Sequence, residues 1–162
     1  MAEIAAPPRP ARVESGPGCD DDFVLWTERQ AALIRAGQLD LVDWENVAEE
    51  IESSGRSERR QLRHRLEVLM THLLKWQFQP LHRSRSWQST IKVQRWQIER
   101  LLSESPSLRR ELAGLSRDEY VTAREQAAAQ TGFDLRTFPK WLPYKAEQIL
   151  DEGFYPGPLD ER

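Results

Sequence analysis

A single cysteine, Cys19, occurs in 162 residues. That excludes an intrachain disulfide framework and any cysteine-rich zinc site. Long hydrophobic runs are missing as well: no stretch reaches 18 apolar residues, so no membrane-spanning helix is expected. The opening run, Met1-Ala2-Glu3-Ile4-Ala5-Ala6-Pro7-Pro8, has no basic segment leading into an apolar one. It does not read as a secretory signal, and a cytoplasmic location is the expectation. Glycine is sparse, eight in all, and forms neither a phosphate-cradling loop nor a Gly-x-Ser-x-Gly elbow. No segment alternates apolar and polar residues with a period of two, so no strand is expected. No repeat of 20–50 residues is present.

What is present is a folded, helical, strongly charged chain. Apolar residues make up 39%, too many for a wholly disordered polypeptide. The length fits one domain. The formal net charge of −3 conceals three blocks. Residues 1–55 carry 4 basic and 12 acidic side chains, a balance of −8; residues 56–110 carry 13 and 4, a balance of +9; residues 111–162 carry 6 and 10, a balance of −4. Such asymmetry points to a charge match between elements or to an anionic partner.

Residues 1–19, rich in Pro, Ala and Gly, read as a disordered tail, 20–156 as a single helical domain, and 157–162 as a loose C-terminal tail. The first helix follows the Asp20-Asp21-Asp22 cap and ends at Gly37. Asp43 caps a second helix with Trp44, Val47, Ala48 and Ile51 on one face, broken at Ser53-Ser54-Gly55. A third runs from about Ser57 to Phe78 on the stripe Leu62, Leu66, Leu69, Leu73 and Trp76, and Pro80 stops it. Ser86 caps a fourth, with Trp87, Ile91, Ile98, Leu101 and Leu102 inward. Ser105-Pro106 opens a further helix, and Ser116-Arg117-Asp118-Glu119 is a capping box for one over about 117–131. Tyr144 to Glu152 makes the last. The expectation is an all-α protein, a compact bundle of six or seven helices with short loops and no sheet.

Several runs together resemble one known group: Asp22-Phe23, Trp26, Ala48-Glu49-Glu50-Ile51-Glu52, and His72-Leu73-Leu74-Lys75-Trp76-Gln77-Phe78-Gln79-Pro80. Ser86-Trp87, Arg95, Pro106-Ser107-Leu108, Tyr120, Ala123-Arg124, Pro139, Pro143-Tyr144 and Ile149-Leu150 extend the match. Over about residues 20–156 the chain resembles the bacterial domain of unknown function family number 29. The Val24-Leu25 pair departs from it, since an aromatic residue is expected beside Phe23. The resemblance implies an all-α bacterial protein and transfers no activity, substrate or catalytic residue.

Four constellations carry chemistry. His72, at the rim of the Leu stripe, could act as base or metal ligand with Glu49 or Glu50, and Arg95 could clamp an anion. Glu-x-x-His and His-x-x-x-His are both absent, which weakens the metal reading, and a rim histidine fixing helix packing is the plainer one. Arg56, Arg59, Arg60, Arg63 and Arg65, with Lys75, Arg83, Arg85, Lys92 and Arg95, could face the phosphates of a nucleic acid, and the interleaved Trp76, Phe78, Trp87 and Trp96 could stack on its bases. They could instead meet Glu49 and Glu52 of an antiparallel second helix, and the acidic isoelectric point of about 5.7 favours that pairing. The pairs Arg59/His64 and Arg65/His72 have a spacing similar to that of helical-bundle ribonucleases, a weak signal in so Arg-rich a segment. Trp96 and Val93 form a second apolar edge on the fourth helix; cover by another helix of the bundle is the favoured reading, and an exposed anchor for a partner is the alternative.

Three function classes follow, in this order. The first is a protein-interaction module, acting on a partner or on itself. The second is a small enzyme or metal-binding bundle using His72, Glu49 and Glu50. The third is a nucleic-acid binder or ribonuclease using residues 56–95. No sequence feature calls for a cofactor.

Overall fold

A computed structural model describes residues 18–157. The predicted tails, 1–19 and 157–162, lie outside it apart from residues 18, 19 and 157. Among the described residues there are five α-helices and no strand: α1 Phe23–Arg35, α2 Trp44–Phe78, α3 Arg85–Glu104, α4 Leu112–Thr131 and α5 Ala146–Leu150. Four short 3-10 turns, Leu39–Leu41, Pro80–His82, Pro106–Arg110 and Leu135–Thr137, connect them. The helical class is as expected, and the number of helices is smaller than six or seven.

The count falls for two reasons. Ser53-Ser54-Gly55 does not break a helix; α2 runs through it as 35 residues. One mid-helix Gly costs only about 1 kcal/mol against Ala, which a long helix with a packed apolar stripe absorbs. An acidic second helix folding back on a basic third one is thereby corrected, because both belong to α2. The segment after Ser105-Pro106 is the second case: five residues of 3-10 turn lead directly into α4, whose first residue is Leu112. Ser116 is then interior to α4 rather than its cap, and its hydroxyl donates to Leu112 O at 2.7 Å.

The remaining ends follow local chemistry. Asp22 Oδ1 accepts from Leu25 N–H at 3.0 Å and caps α1. Gly37, at φ +70°, closes it: Gln38 N–H donates to Leu33 O and Gly37 N–H to Ile34 O, the paired bonds of a Schellman end. Asp43 Oδ1 accepts from Asn46 N–H at the start of α2. Ser84, not Ser86, caps α3, its hydroxyl accepting from Trp87 N–H at 3.2 Å. Gly132, at φ +73°, ends α4. The last helix is shorter than predicted, five residues instead of about nine.

The chain divides into two compact units, Met1–Ser53 and Ser54–Arg162. In the first, α1 pairs with the start of α2. Trp26, Gln30, Leu33 and Val42 are its buried side chains, and the Gln30 amide oxygen accepts from Asp43 N–H at 2.9 Å. That bond satisfies a backbone donor just outside α2.

The second unit holds the large core. Leu62, Leu66, Leu69, Met70, Leu73 and Leu74 of α2 are wholly buried against Ile91, Ile98 and Leu102 of α3 and Ala123 and Ala127 of α4. Burying each large aliphatic side chain is worth at most about 1.5–3 kcal/mol. Directions follow from the polar contacts. Arg65 reaches Gln94, and Lys75 lies over the Trp87 ring, so α3 runs antiparallel to this part of α2. Arg59 meets Glu111, Thr71 meets Ala123 O, and Lys75 meets Gln130, so α4 runs parallel to it. The small side chains of Ala123 and Ala127 let α2 and α4 approach closely. Phe138, Tyr144 and Ile149, from the loop and α5, close the far end.

Candidate functional site

His72 projects from α2 at the edge of the core and is half-buried. Its Nδ1 lies 2.9 Å from Val68 O, one turn back on the same helix. Burial holds its pKa below the usual imidazole value; the Lys75 ammonium adds to that, and the Val68 bond opposes it. A shallow groove of about 200 Å³ beside it is lined by Glu67, Val68, Thr71, Gln126 and Gln130. Glu49 and Glu50 belong to the first unit and do not line this groove. No group of three or more His, Cys, Asp or Glu fit to hold a metal ion occurs among the described residues.

Arg95 is 1% exposed, the largest fully buried side chain. Its Nε donates to Ile149 O at 2.8 Å, Nη1 to Glu152 O at 3.3 Å and Nη2 to Phe154 O at 2.7 Å. The guanidinium also lies 5.4 Å from the Tyr155 ring centre. Burial depresses its pKa, and Tyr155, Asp151 and Glu152 partly offset this. One side chain therefore supplies donors to a stretch of chain whose carbonyls have left the helix. The structure gives it internal acceptors in place of a bound anion.

The arginine row on α2 is partly spoken for. Arg59 makes a two-pronged contact with Glu111, at 2.8 and 3.0 Å, and Arg63 pairs with Glu119. Arg65 donates to Gln94. His64 faces Glu67 at 3.8 Å. The carboxylates that meet Arg59 and Arg63 are Glu111, at the N-terminal end of α4, and Glu119 within it, not those of an antiparallel acidic helix.

Lys75, expected among the groups that could face phosphates, is buried instead, and so is Tyr144, which the sequence assigned to no site. Lys75 Nζ donates to Gln130 Oε1 at 2.9 Å and sits 4.5 Å from the Trp87 ring centre; burial lowers its pKa. Tyr144 Oη donates to Gln77 Oε1 at 2.6 Å, and burial pushes its pKa far up. Tyr120 Oη donates to Pro139 O at 2.7 Å, and burial pushes its pKa up to about 12. These hydroxyls are locked protonated at neutral pH and act as ties for the loop. Arg124 adds two more, to Phe138 O and Leu135 O.

Two surface concavities stand out. The larger, about 590 Å³, lies between the first half of α4, the loop 140–145 and the start of α5. Val121 and Trp141 on its rim are exposed, Trp141 to 75%. The signal for it in the sequence is an aromatic residue, Trp141, held between Pro139 and Pro143. The smaller, about 200 Å³, is an open seam on the first unit. Thr27, Ala31 and Ile34 form one wall, at i, i+4 and i+7 of α1; Val47, Glu50 and Ile51 form the other. Phe23, Val24, Leu25, Ile34, Leu39, Leu41, Trp44 and Ile51 of this unit are all exposed, Ile51 to 69%. The seam is easy to miss in sequence, because α1 carries a second, buried stripe of Trp26, Gln30 and Leu33 that explains it as an ordinary amphipathic helix. On α3, Trp96 is 59% exposed, and Val93 is exposed beside it, so the expectation that another helix covers this edge is corrected: no described element reaches far enough to bury it. The Arg100 guanidinium lies 6.0 Å from the Trp96 ring centre.

No helix among the described residues is long and apolar enough to cross a membrane. No curated protein and no solved structure matches the chain. A family model does, over residues 19–155, from the triple-Asp cap of α1 to the tyrosine beneath Arg95. The chain belongs to the family described as domain of unknown function DUF29.

Proposed function

We propose that this protein is a helical interaction module whose α1/α2 seam takes up an amphipathic helix of another polypeptide. The observation that carries the reading is the open seam itself. Two paired helices cannot bury both of their apolar faces; a third helix laid along Thr27, Ala31, Ile34, Val47 and Ile51 would cover the surface left bare. Of the eight large apolar side chains exposed on this unit, Ile34 and Ile51 face each other across the seam and make it a continuous apolar surface. The charge around the seam specifies the sign of the ligand. Residues 18–53 carry ten acidic side chains against two basic ones, so a basic helix is favoured and an acidic one repelled.

A fluorescein-labelled leucine–lysine amphipathic helix is the probe, followed by anisotropy. Saturable binding is expected, weakened at least about tenfold by Ile51→Glu and absent for the leucine–glutamate analogue. Absence of saturable binding to the wild-type protein, or equal binding by Ile51→Glu, would overturn the reading.

A further inference from the structure

The seam needs a basic amphipathic helix, and this chain exposes one. On α3, Ser89, Val93, Trp96 and Arg100 follow one another at i, i+4, i+7 and i+11, and Lys92 and Arg85 flank them. All six are exposed, although the opposite face of the same helix, Ile91, Arg95, Ile98 and Leu102, is buried in the core. Packing α3 in its own bundle does not call for apolar residues at 93 and 96, where polar ones would serve. Lys92 and Arg85 have no carboxylate partner among the described residues. α3 itself carries Arg85, Lys92, Arg95 and Arg100 against Glu99 and Glu104; Arg95 is buried and Arg100 pairs with Glu104, so Lys92 and Arg85 supply the stripe's free positive charge, opposite in sign to the −8 of residues 18–53. Each chain thus displays an acidic apolar seam and a basic apolar stripe with a tryptophan anchor. Trp is the side chain most enriched among residues that dominate interface energies.

Building on the reading of the seam as a helix-binding surface, we infer that its partner is the α3 stripe of a second copy of this chain: Trp96 and Val93 of one protomer lie along Ile34 and Ile51 of the other, with Lys92 and Arg85 set toward the seam's acidic rim. The contact joins two different surfaces, so each copy brings one seam and one stripe. The apolar centre supplies the affinity, and the charges set orientation and exclude a seam meeting a seam, where two acidic units would oppose each other. The interaction weakens as salt rises, because the rim charges are solvent-exposed and screened.

Complementation tests this contact. Trp96→Ala removes the stripe's anchor and Ile51→Glu spoils the seam; both positions are exposed, and far-UV circular dichroism with a urea melt verifies that each variant folds. Sedimentation velocity of the wild type is expected to show concentration-dependent association below about 100 μM, falling at least about tenfold in affinity for either variant alone. Mixing the two variants restores association above that of either one, since the mixture retains one intact seam and one intact stripe. A wild type that stays monomeric at that concentration overturns the inference. So does association insensitive to Trp96→Ala, which indicates a contact of two like surfaces, or a mixture no better than its components. The leucine–lysine probe separates the two levels. If it binds at the seam while the protein stays monomeric, the seam is a helix-binding surface with a foreign partner; if it fails too, the seam reading falls with the inference.

Discussion

Replacing Arg95 with methionine keeps the length and most of the buried volume of the side chain and removes its donors. Three carbonyl oxygens, those of Ile149, Glu152 and Phe154, then lose their partner. Hydrogen bonds from a charged group contribute about 1.5–3 kcal/mol each, so a simple sum over three would reach about 4.5–9 kcal/mol. Two effects reduce it. The guanidinium no longer has to be desolvated, which recovers part of the loss. Residues 151–153 are exposed, so Glu152 O can turn to water, whereas Ile149, wholly buried, cannot. The expected net cost is about 2–4 kcal/mol. Urea denaturation followed by tryptophan fluorescence reads it as a lower midpoint at unchanged slope. The loss also has a place. Limited proteolysis should cut Arg95→Met between residues 150 and 157 under conditions where the wild type is intact, because the clamp is what ties that stretch to α3. Arg95→Lys should behave nearly as badly, since one ammonium cannot reach three separated carbonyls. A cost under about 1 kcal/mol with unchanged proteolysis would refute the assignment of Arg95 as a structural clamp.

Further perturbations have defined signs. Gly55→Ala, in the interior of α2 with open space where its Cβ would stand, should stabilise by about 0.5–1 kcal/mol in the same urea assay, whereas Gly132→Ala, at φ +73°, should destabilise by about 1 kcal/mol. Tyr144→Phe leaves the buried Gln77 amide without its partner and should cost about 1–3 kcal/mol in urea. His72 is held below its unfolded pKa of about 6.5, so the folded state binds fewer protons than the unfolded one. Its contribution is complete above that value and is lost as pH falls through the window beneath it; urea midpoints at pH 7.5 and 5 should differ less for His72→Gln than for the wild type.

The helices were legible where local chemistry decides. Asp22, Asp43 and Gly37 act as the sequence suggests, because a cap is a contact within four residues of the end it closes. Ser53-Ser54-Gly55 misleads because propensity is a weak term: each residue there costs tenths of a kilocalorie up to about 1 kcal/mol, less than a single buried leucine returns. Ser116 misleads for a related reason, since a hydroxyl that could cap a helix can equally bond to the carbonyl one turn back within it. Arg95 reads in sequence as an anion clamp, whereas its donors meet backbone carbonyls, because that depends on where residues 149–154 pass, over 50 positions away in sequence. Trp96 and Val93 were legible as a second edge on α3, and their exposure depends on which neighbours reach that side. The groove under Trp141 and the seam on α1 were not visible. Both are shapes made by two or three elements together, and neither leaves a period in any one of them.

Whether the α1/α2 seam binds a helix can be read directly in solution. Amide and methyl chemical-shift mapping of isotope-labelled protein, titrated with the leucine–lysine amphipathic helix, tests it residue by residue. The predicted shifts concentrate on Thr27, Ala31, Ile34, Val47 and Ile51 and saturate with the anisotropy curve. Shifts confined to the Trp141 groove, or spread without focus over the surface of Ser54–Arg162, would contradict it.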